Sequence, residues 1–214
     1  MSTEFRYFLD VIPPDMYART KATTCRYIAV FEPEEYALGE VISVDDYHFL
    51  LLFANAPVTR INNVEYRLKK GDLLVVRPWE EVYGVPDKNR EYGKYLHIAV
   101  KKEFFAEIAS EAAKENTFEF KRVHGKYSNR LLDLIGEFQL EIMNYGESYP
   151  KMLYSLSTQI VFQLIRDLNA GDRENMEEID PDNPYISKAI LFMKENYQAN
   201  ISIKDICDSI YLSP

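Results

Sequence analysis

Between Cys25 and Val100 the chain carries six short runs rich in β-branched and aromatic residues: CRYIAVF, YHFLLLF, VTRI, VEYRL, DLLVV and KYLHIAV. Turn formers punctuate them, at Asn62-Asn63, at Lys69 to Asp72, and in the RPWEE and VPDKNREYG stretches. Runs this short and this regularly spaced predict a β-sandwich or a small barrel. Asn62-Asn63 has the form of a two-residue hairpin turn, because Asn tolerates positive φ. Gly71 before Asp72 supplies the tight bend that returns the next strand. The alternation within the runs is imperfect, so the pattern does not fix which face points inward.

After Val100 the period changes from that of strands to that of helices. KKEFFAEIASEAAK (101–114) predicts a short amphipathic helix, followed by a brief extended piece, TFEFKRV. From about Ser128 to Asn169 two longer antiparallel helices are expected, broken near YGESYP. Leu131, Ile135, Phe138, Ile142 and Tyr145 recur at helical spacing in the first. In the second, Leu153, Leu156, Ile160, Leu164 and Leu168 form a stripe that Val161, Phe162 and Ile165 widen. Such a stripe packs on the strands or on its neighbour helix, and its width also suits a subunit interface. The fold class is therefore α+β: a β-barrel followed by antiparallel helices.

NAGDRENMEEIDPDNP (169–184) is acidic, lacks apolar periodicity and carries Gly171, Pro181 and Pro184, so it reads as a linker. The expected division is 1–170, a linker over 171–184, and a helical segment over 185–214. In that segment Ile186, Ala189, Ile190, Met193 and Tyr197 lie on one helical face. Ser202 with Asp205 forms a capping-box pattern, opening a second helix with Ile203, Ile206, Cys207 and Ile210 on its buried face. Tyr211-Leu212-Ser213-Pro214 then offers a third helix start, with Ser213 as cap and Pro214 at the first helical position. Helix, tight turn and helix start have the spacing of a helix-turn-helix unit.

Composition narrows the function. The formal charge of −9 argues against nucleic-acid binding through the overall field, since phosphate contacts need Lys and Arg. The two cysteines, Cys25 and Cys207, share no motif, which favours reduced thiols and a cytoplasmic protein. The N-terminal residues, broken by charges and Pro13-Pro14, do not read as a signal peptide, and no apolar run approaches a membrane span. No Ser/His/Asp or Cys/His arrangement and no Gly-rich phosphate loop stands out. Glu34-Glu35 and Glu80-Glu81 are adjacent pairs that read as solvated charges. A small-molecule pocket within the strands is the better expectation, since ligand sites combine aromatic walls with a few polar groups. Its candidate residues are His48, Arg60, Trp79, Tyr83, Tyr95 and His97. His97 also suits a hydrogen-bonded core histidine, Arg60 a solvent-facing cation, and Trp79 a structural cap.

ISIKDICDSIYLSP resembles the start of the AraC/XylS-type DNA-binding domain, whose pattern runs roughly I-S-L-x-D-I-A-x-x-x-Y-L-S-P. Cys207 stands where that family usually has Ala, and a buried Cys behaves as a small apolar residue. VTRINNVEYRLKKGDLLVVRPWEEV resembles the cupin-type sensor barrel often joined to it, with Leu68, Gly71, Asp72 and Pro78 at its hallmark positions. Metal-dependent cupins carry an H-x-H pair, a Glu and a later His. Here the later position falls at Val82, and the SVDDY region lacks the early pair. With only His48, His97 and His124 in the chain, no metal or other cofactor is expected. The resemblance implies the effector-sensing and dimerising portion of a transcriptional regulator, cut inside its first helix-turn-helix. Its effector would be a small molecule such as a sugar, and its dimer would form through 128–169. DNA binding would need residues beyond Ser213 and Pro214, so only the full-length protein would bind DNA. A cupin-fold enzyme acting on a small metabolite, or a module that only dimerises, are the alternatives.

Overall fold

A computed structural model describes residues 5–9, 19–87, 92–112, 118–169, 189, 192, 193, 196 and 201–209. The chain divides into two compact units, Met1–Ala170 and Gly171–Pro214. In the first, the described residues form ten strands: β1 (Lys21–Thr24), β2 (Ile28–Glu32), β3 (Val41–Ile42), β4 (Tyr47–Leu52), β5 (Thr59–Ile61), β6 (Val64–Tyr66), β7 (Asp72–Val76), β8 (Val82–Gly84), β9 (Tyr95–Val100) and β10 (His124–Lys126). With them stand helices α1 (Arg6–Leu9), α2 (Lys102–Ala112), α3 (Asn129–Tyr145) and α4 (Pro150–Asn169).

The strands form two sheets rather than one closed barrel. The larger has the order β1-β2-β9-β4-β7-β10 and the smaller β3-β8-β5-β6, and every pairing is antiparallel. A barrel needs a hydrogen-bond ladder that runs all the way round. The smaller sheet is built from strands of two or three residues. It faces the larger sheet through side chains instead. The expected hairpin is present: Ile61 pairs with Val64 across Asn62-Asn63, with Asn62 at φ 51°. Gly71 sits at φ +87°, where the chain turns into β7.

The larger sheet is buried on both faces, which explains the imperfect alternation. Along β4, Phe49 and Leu51 enter a core shared with the helices, while Leu52 joins a second core against the smaller sheet. Along β7, Leu73 and Val75 face the helices, and Leu74 and Val76 face the smaller sheet. Along β9, Leu96, Ile98 and Val100 take the helical side, leaving Tyr95, His97 and Ala99 for the other. A strand wet on neither face has no reason to alternate polar and apolar residues.

The wide stripe of α4 is spent within the chain. Leu153, Leu156, Ile160, Val161, Leu164, Ile165 and Leu168 are all buried, in one core with Leu131, Leu134, Ile135 and Phe138 of α3. Each such side chain contributes roughly 1.5–3 kcal/mol. The stripe's width reflects contact with the sheet, α2 and α3 together, so it is not itself a vacant interface. Tyr145, expected on the buried stripe of α3, is 54% exposed because Gly146 (φ 59°) ends the helix there.

Polar ties hold the layers. The N-cap Ser128 accepts from Leu131 N at 3.3 Å, and its own N and Oγ both donate to Asp167 Oδ2 at 2.9 Å. Gln163 Nε2 donates to Ser128 Oγ at 3.1 Å. The start of α3 is thus bound to the end of α4, which makes the pair antiparallel. Asp72, 1% exposed, accepts from Lys69 N (2.9 Å) and Lys126 Nζ (2.6 Å) and lies 3.0 Å from His124 Nε2. Burial alone would raise its pKa, but these partners outweigh it and hold the carboxyl below its usual value. Asp46 accepts from Lys102 N at 2.8 Å and from Lys101 Nζ at 3.2 Å, and the Tyr7 hydroxyl of α1 also donates to it.

In the second unit, α5 (Ile203–Ser209) begins with the expected capping box: Ser202 N donates to Asp205 Oδ2 at 2.8 Å, and Asp205 N to Ser202 Oγ at 3.3 Å. Ile203, expected on the buried face, is 75% exposed, since no second layer covers it among the described residues of this unit. Met193 is also partly exposed, at 39%. The linker residues 171–184 and the helix start at Ser213 and Pro214 lie outside the described residues.

Ser128→Ala removes both a helix cap and the Oγ bond to Asp167, while the backbone N–H bond to Asp167 remains. A loss of about 1–2 kcal/mol is expected, read as a lower urea midpoint at unchanged m-value.

Candidate functional site

A cavity of about 110 Å³ lies between the two sheets. The larger sheet contributes Phe31, His48, Leu50, Leu52, Val76, Tyr95 and His97 to its wall. The smaller contributes Ile42, Thr59, Val82 and Gly84, and the connecting loops add Tyr36, Val44, Leu68 and Glu80. A side chain at Gly84 would collide with the Ala37 carbonyl, its Cβ only 2.8 Å from that oxygen, so glycine is required at this close approach.

Register creates the polar end of the cavity. His48 of β4 pairs with Ala99 of β9, and His97 with Leu50, so the two histidines are diagonal neighbours on one face. His48 Nδ1 and His97 Nε2 lie 2.7 Å apart, within a hydrogen bond in which one ring donates and the other accepts. That bond requires at least one neutral ring. Both residues are buried, and burial is the first cause that drives both imidazoles toward neutrality: His97 falls to about 3. His48 lies well below its ordinary value, with His97 and Lys101 adding to the effect of burial. The Phe31 ring packs beside His97 at 5.6 Å.

Tyr95 forms a second aromatic wall. Tyr36 stacks on it, with ring centroids 4.3 Å apart and planes 19° apart, and Tyr92 meets Tyr36 edge-on at 5.7 Å. The Tyr95 hydroxyl donates to the Glu35 carbonyl at 3.4 Å. The Tyr36 hydroxyl oxygen is buried and has no hydrogen-bond partner.

Of the six pocket residues expected from sequence, His48, Tyr95 and His97 meet at this cavity. Arg60, Trp79 and Tyr83 do not line it. Arg60 points outward from β5, paired with Glu65 at 2.9 Å and lying over the Tyr83 ring at 5.8 Å. Thr59 and Ile61, on either side of Arg60, take the inward face. Val82 and Gly84 likewise point inward and leave Tyr83 outside. Trp79 is 66% exposed, at φ 65° in the Arg77–Glu80 turn, a conformation that strains a bulky residue. Sequence reasoning missed Tyr36 and Phe31. An aromatic in the Pro33–Gly39 loop was the available signal for Tyr36, but only the fold brings that loop over β9. Among the described residues, no group of three His, Cys, Asp or Glu side chains could hold a metal ion.

No family model matches the chain, and no curated protein matches it. Among solved structures it is similar to the AraC-like transcriptional activator CuxR, at 11% identity over 91% of this chain and 70% of that one, TM-score 0.46. It is also similar to apo ToxT from Vibrio cholerae, at 10% identity over 90% of this chain and 73% of that one, TM-score 0.41. An RmlC-like cupin from Shewanella frigidimarina matches at 12% identity over 38% of this chain and 74% of that one, TM-score 0.29.

The buried histidines make stability depend on pH. Their native pKa values lie below the unfolded value of about 6.5, so the unfolded state binds more protons as pH falls. Their contribution is complete above about pH 7 and is lost progressively below 6.5, toward 3 for His97. Each imidazole should add a slope of up to about 1.4 kcal/mol per pH unit in that window. Urea titrations between pH 7 and 5 should show this slope in the native chain and a flatter one in a His48→Leu, His97→Leu variant.

Proposed function

We propose that the Met1–Ala170 unit is a small-molecule sensor, and that the chain is the effector-binding and dimerising portion of an AraC-type transcriptional regulator rather than an enzyme. One observation carries the sensor reading: a cavity between the sheets, walled mainly by aliphatic and aromatic side chains and lined also by the neutral His48–His97 pair. Ligand sites have this composition, with an apolar body and a few polar groups that set orientation. The regulator reading rests on ISIKDICDSIYLSP, whose first part forms the capped helix α5. A ligand in the cavity would bias how two DNA-binding segments are presented. DNA binding is assigned to the helix-turn-helix segment that ISIKDICDSIYLSP resembles, and the cytoplasm is where such a protein works.

The wall argues for an effector less polar than a sugar. Each sugar hydroxyl needs a partner when buried, and Ile42, Val44, Leu50, Leu52, Leu68, Val76 and Val82 supply none.

Dimerisation is assigned to the far end of the helical pair instead of the α4 stripe. Leu140, Met143, Tyr145, Tyr149 and Met152 are each at least half exposed around the α3–α4 turn. Sedimentation of the 214-residue chain should show a dimer, and Leu140→Glu with Met143→Lys should convert it to a monomer of unchanged helix content.

The sensor reading is tested by a thermal-shift screen of metabolites, repeated on Val76→Phe, in which the larger ring fills the cavity. A ligand at a hundred times its Kd stabilises by about 2.7 kcal/mol. Compounds that raise the native Tm should leave Val76→Phe unmoved; hits that shift both proteins equally would place binding elsewhere.

A further inference from the structure

The Tyr36 hydroxyl is a polar group of the cavity wall to which the fold gives no partner. Its oxygen is buried and makes no hydrogen bond, although a buried hydroxyl without a partner destabilises a protein. Its position is fixed. The ring is held flat against Tyr95 and edge-on to Tyr92, and Tyr36 lines the cavity. Tyr95 beside it has an acceptor in the Glu35 carbonyl, so the two stacked phenols are not equivalent.

The rest of the wall limits what could satisfy that hydroxyl. Among the described residues no Lys or Arg lines the cavity, and Glu80 is its only charged side chain. Glu80 already accepts from Arg77 N at 2.8 Å. An anion would therefore be buried without a cation, and isolated buried charges are expensive. At about 110 Å³ the cavity is of the same order as the roughly 150 Å³ engineered cavity that admits benzene, so a ring of five or six carbons suits it.

We propose that the cavity takes a small, uncharged, cyclic or short-chain molecule, apolar except for one carbonyl or hydroxyl oxygen that accepts a hydrogen bond from Tyr36. This rests on reading the cavity as a ligand site and adds the chemical class of the ligand and the residue that selects it. Burial raises the Tyr36 pKa, so the phenol remains a donor throughout the physiological range.

Five probes separate the possibilities: cyclopentanone, cyclopentane, cyclopentylamine, cyclopentanecarboxylate and D-xylose. Each is titrated into the 214-residue chain and followed by the NMR shifts of the His48, His97 and Tyr95 rings. Cyclopentanone is expected to bind at least tenfold more tightly than cyclopentane, with no saturable shift from the charged probes or the sugar. Tyr36→Phe should erase that tenfold preference while leaving cyclopentane binding unchanged. Its Tm without ligand should be unchanged or higher, because the lost hydroxyl has no partner. A merely structural Tyr36 would instead lower that Tm and weaken both probes alike. Equal cyclopentanone binding by the native and Tyr36→Phe proteins would overturn the role of Tyr36 and leave the cavity standing. Tighter binding of a charged probe or of xylose at the same ring resonances would overturn the ligand class alone. If no probe moves those resonances and the metabolite screen is indifferent to Val76→Phe, the sensor reading fails together with this one.

Discussion

The pairing of β4 with β9 is the contact on which the rest of the molecule depends. Six residue pairs, from Tyr47–Val100 to Leu52–Tyr95, set these two strands at the centre of the larger sheet. Both faces of that sheet are buried, so each side chain on the two strands is committed to one of two cores. Phe49 and Ile98 oppose each other on the helical side, while Leu50 and His97 oppose each other on the cavity side. A slip of β4 by one residue would send His48 into the helical core and leave Phe49 in the cavity. Register is therefore specified by the cost of putting a polar ring on the wrong side.

The cavity follows from that commitment. The smaller sheet has short strands and cannot splice onto the larger one, so the two meet through side chains and leave a space between them. Into that space the larger sheet sends two imidazoles and a phenol. Burial holds both imidazoles neutral, and each offers the other a partner. The wall of that space is mostly apolar, with polar groups from β4 and β9, from the Pro33–Gly39 loop, and at Thr20, Thr59 and Glu80.

Charge is used at the periphery, where partners can reach it. Asp46 and Asp72 are each buried and each satisfied by several donors, and they fasten α1 and α2 on one side and β10 on the other. Ser128, Gln163 and Asp167 do the same for the helical pair. Leaving buried Asp46 or Asp72 unpaired would cost more than the net gain of making the bond, and the value of all these ties lies in fixing where each element docks.

Local chemistry made much of this legible in the sequence. The six runs between Cys25 and Val100 each contain a strand, the Asn62-Asn63 turn and the Gly71 bend fall where their φ angles require, and both long helices and the Ser202–Asp205 box follow their residue patterns. These features depend on residues a few positions apart. The sequence also pointed to His48, Tyr95 and His97, but not to their separation from Arg60 and Tyr83. That depended on which face of each strand the second sheet would cover. Only the tertiary structure decided that the barrel stays open as two sheets, that the broad α4 stripe is consumed within the chain, and that Tyr36 stands over Tyr95. Each is a contact between residues far apart in the chain, set by register and layer packing, which a periodic pattern does not encode.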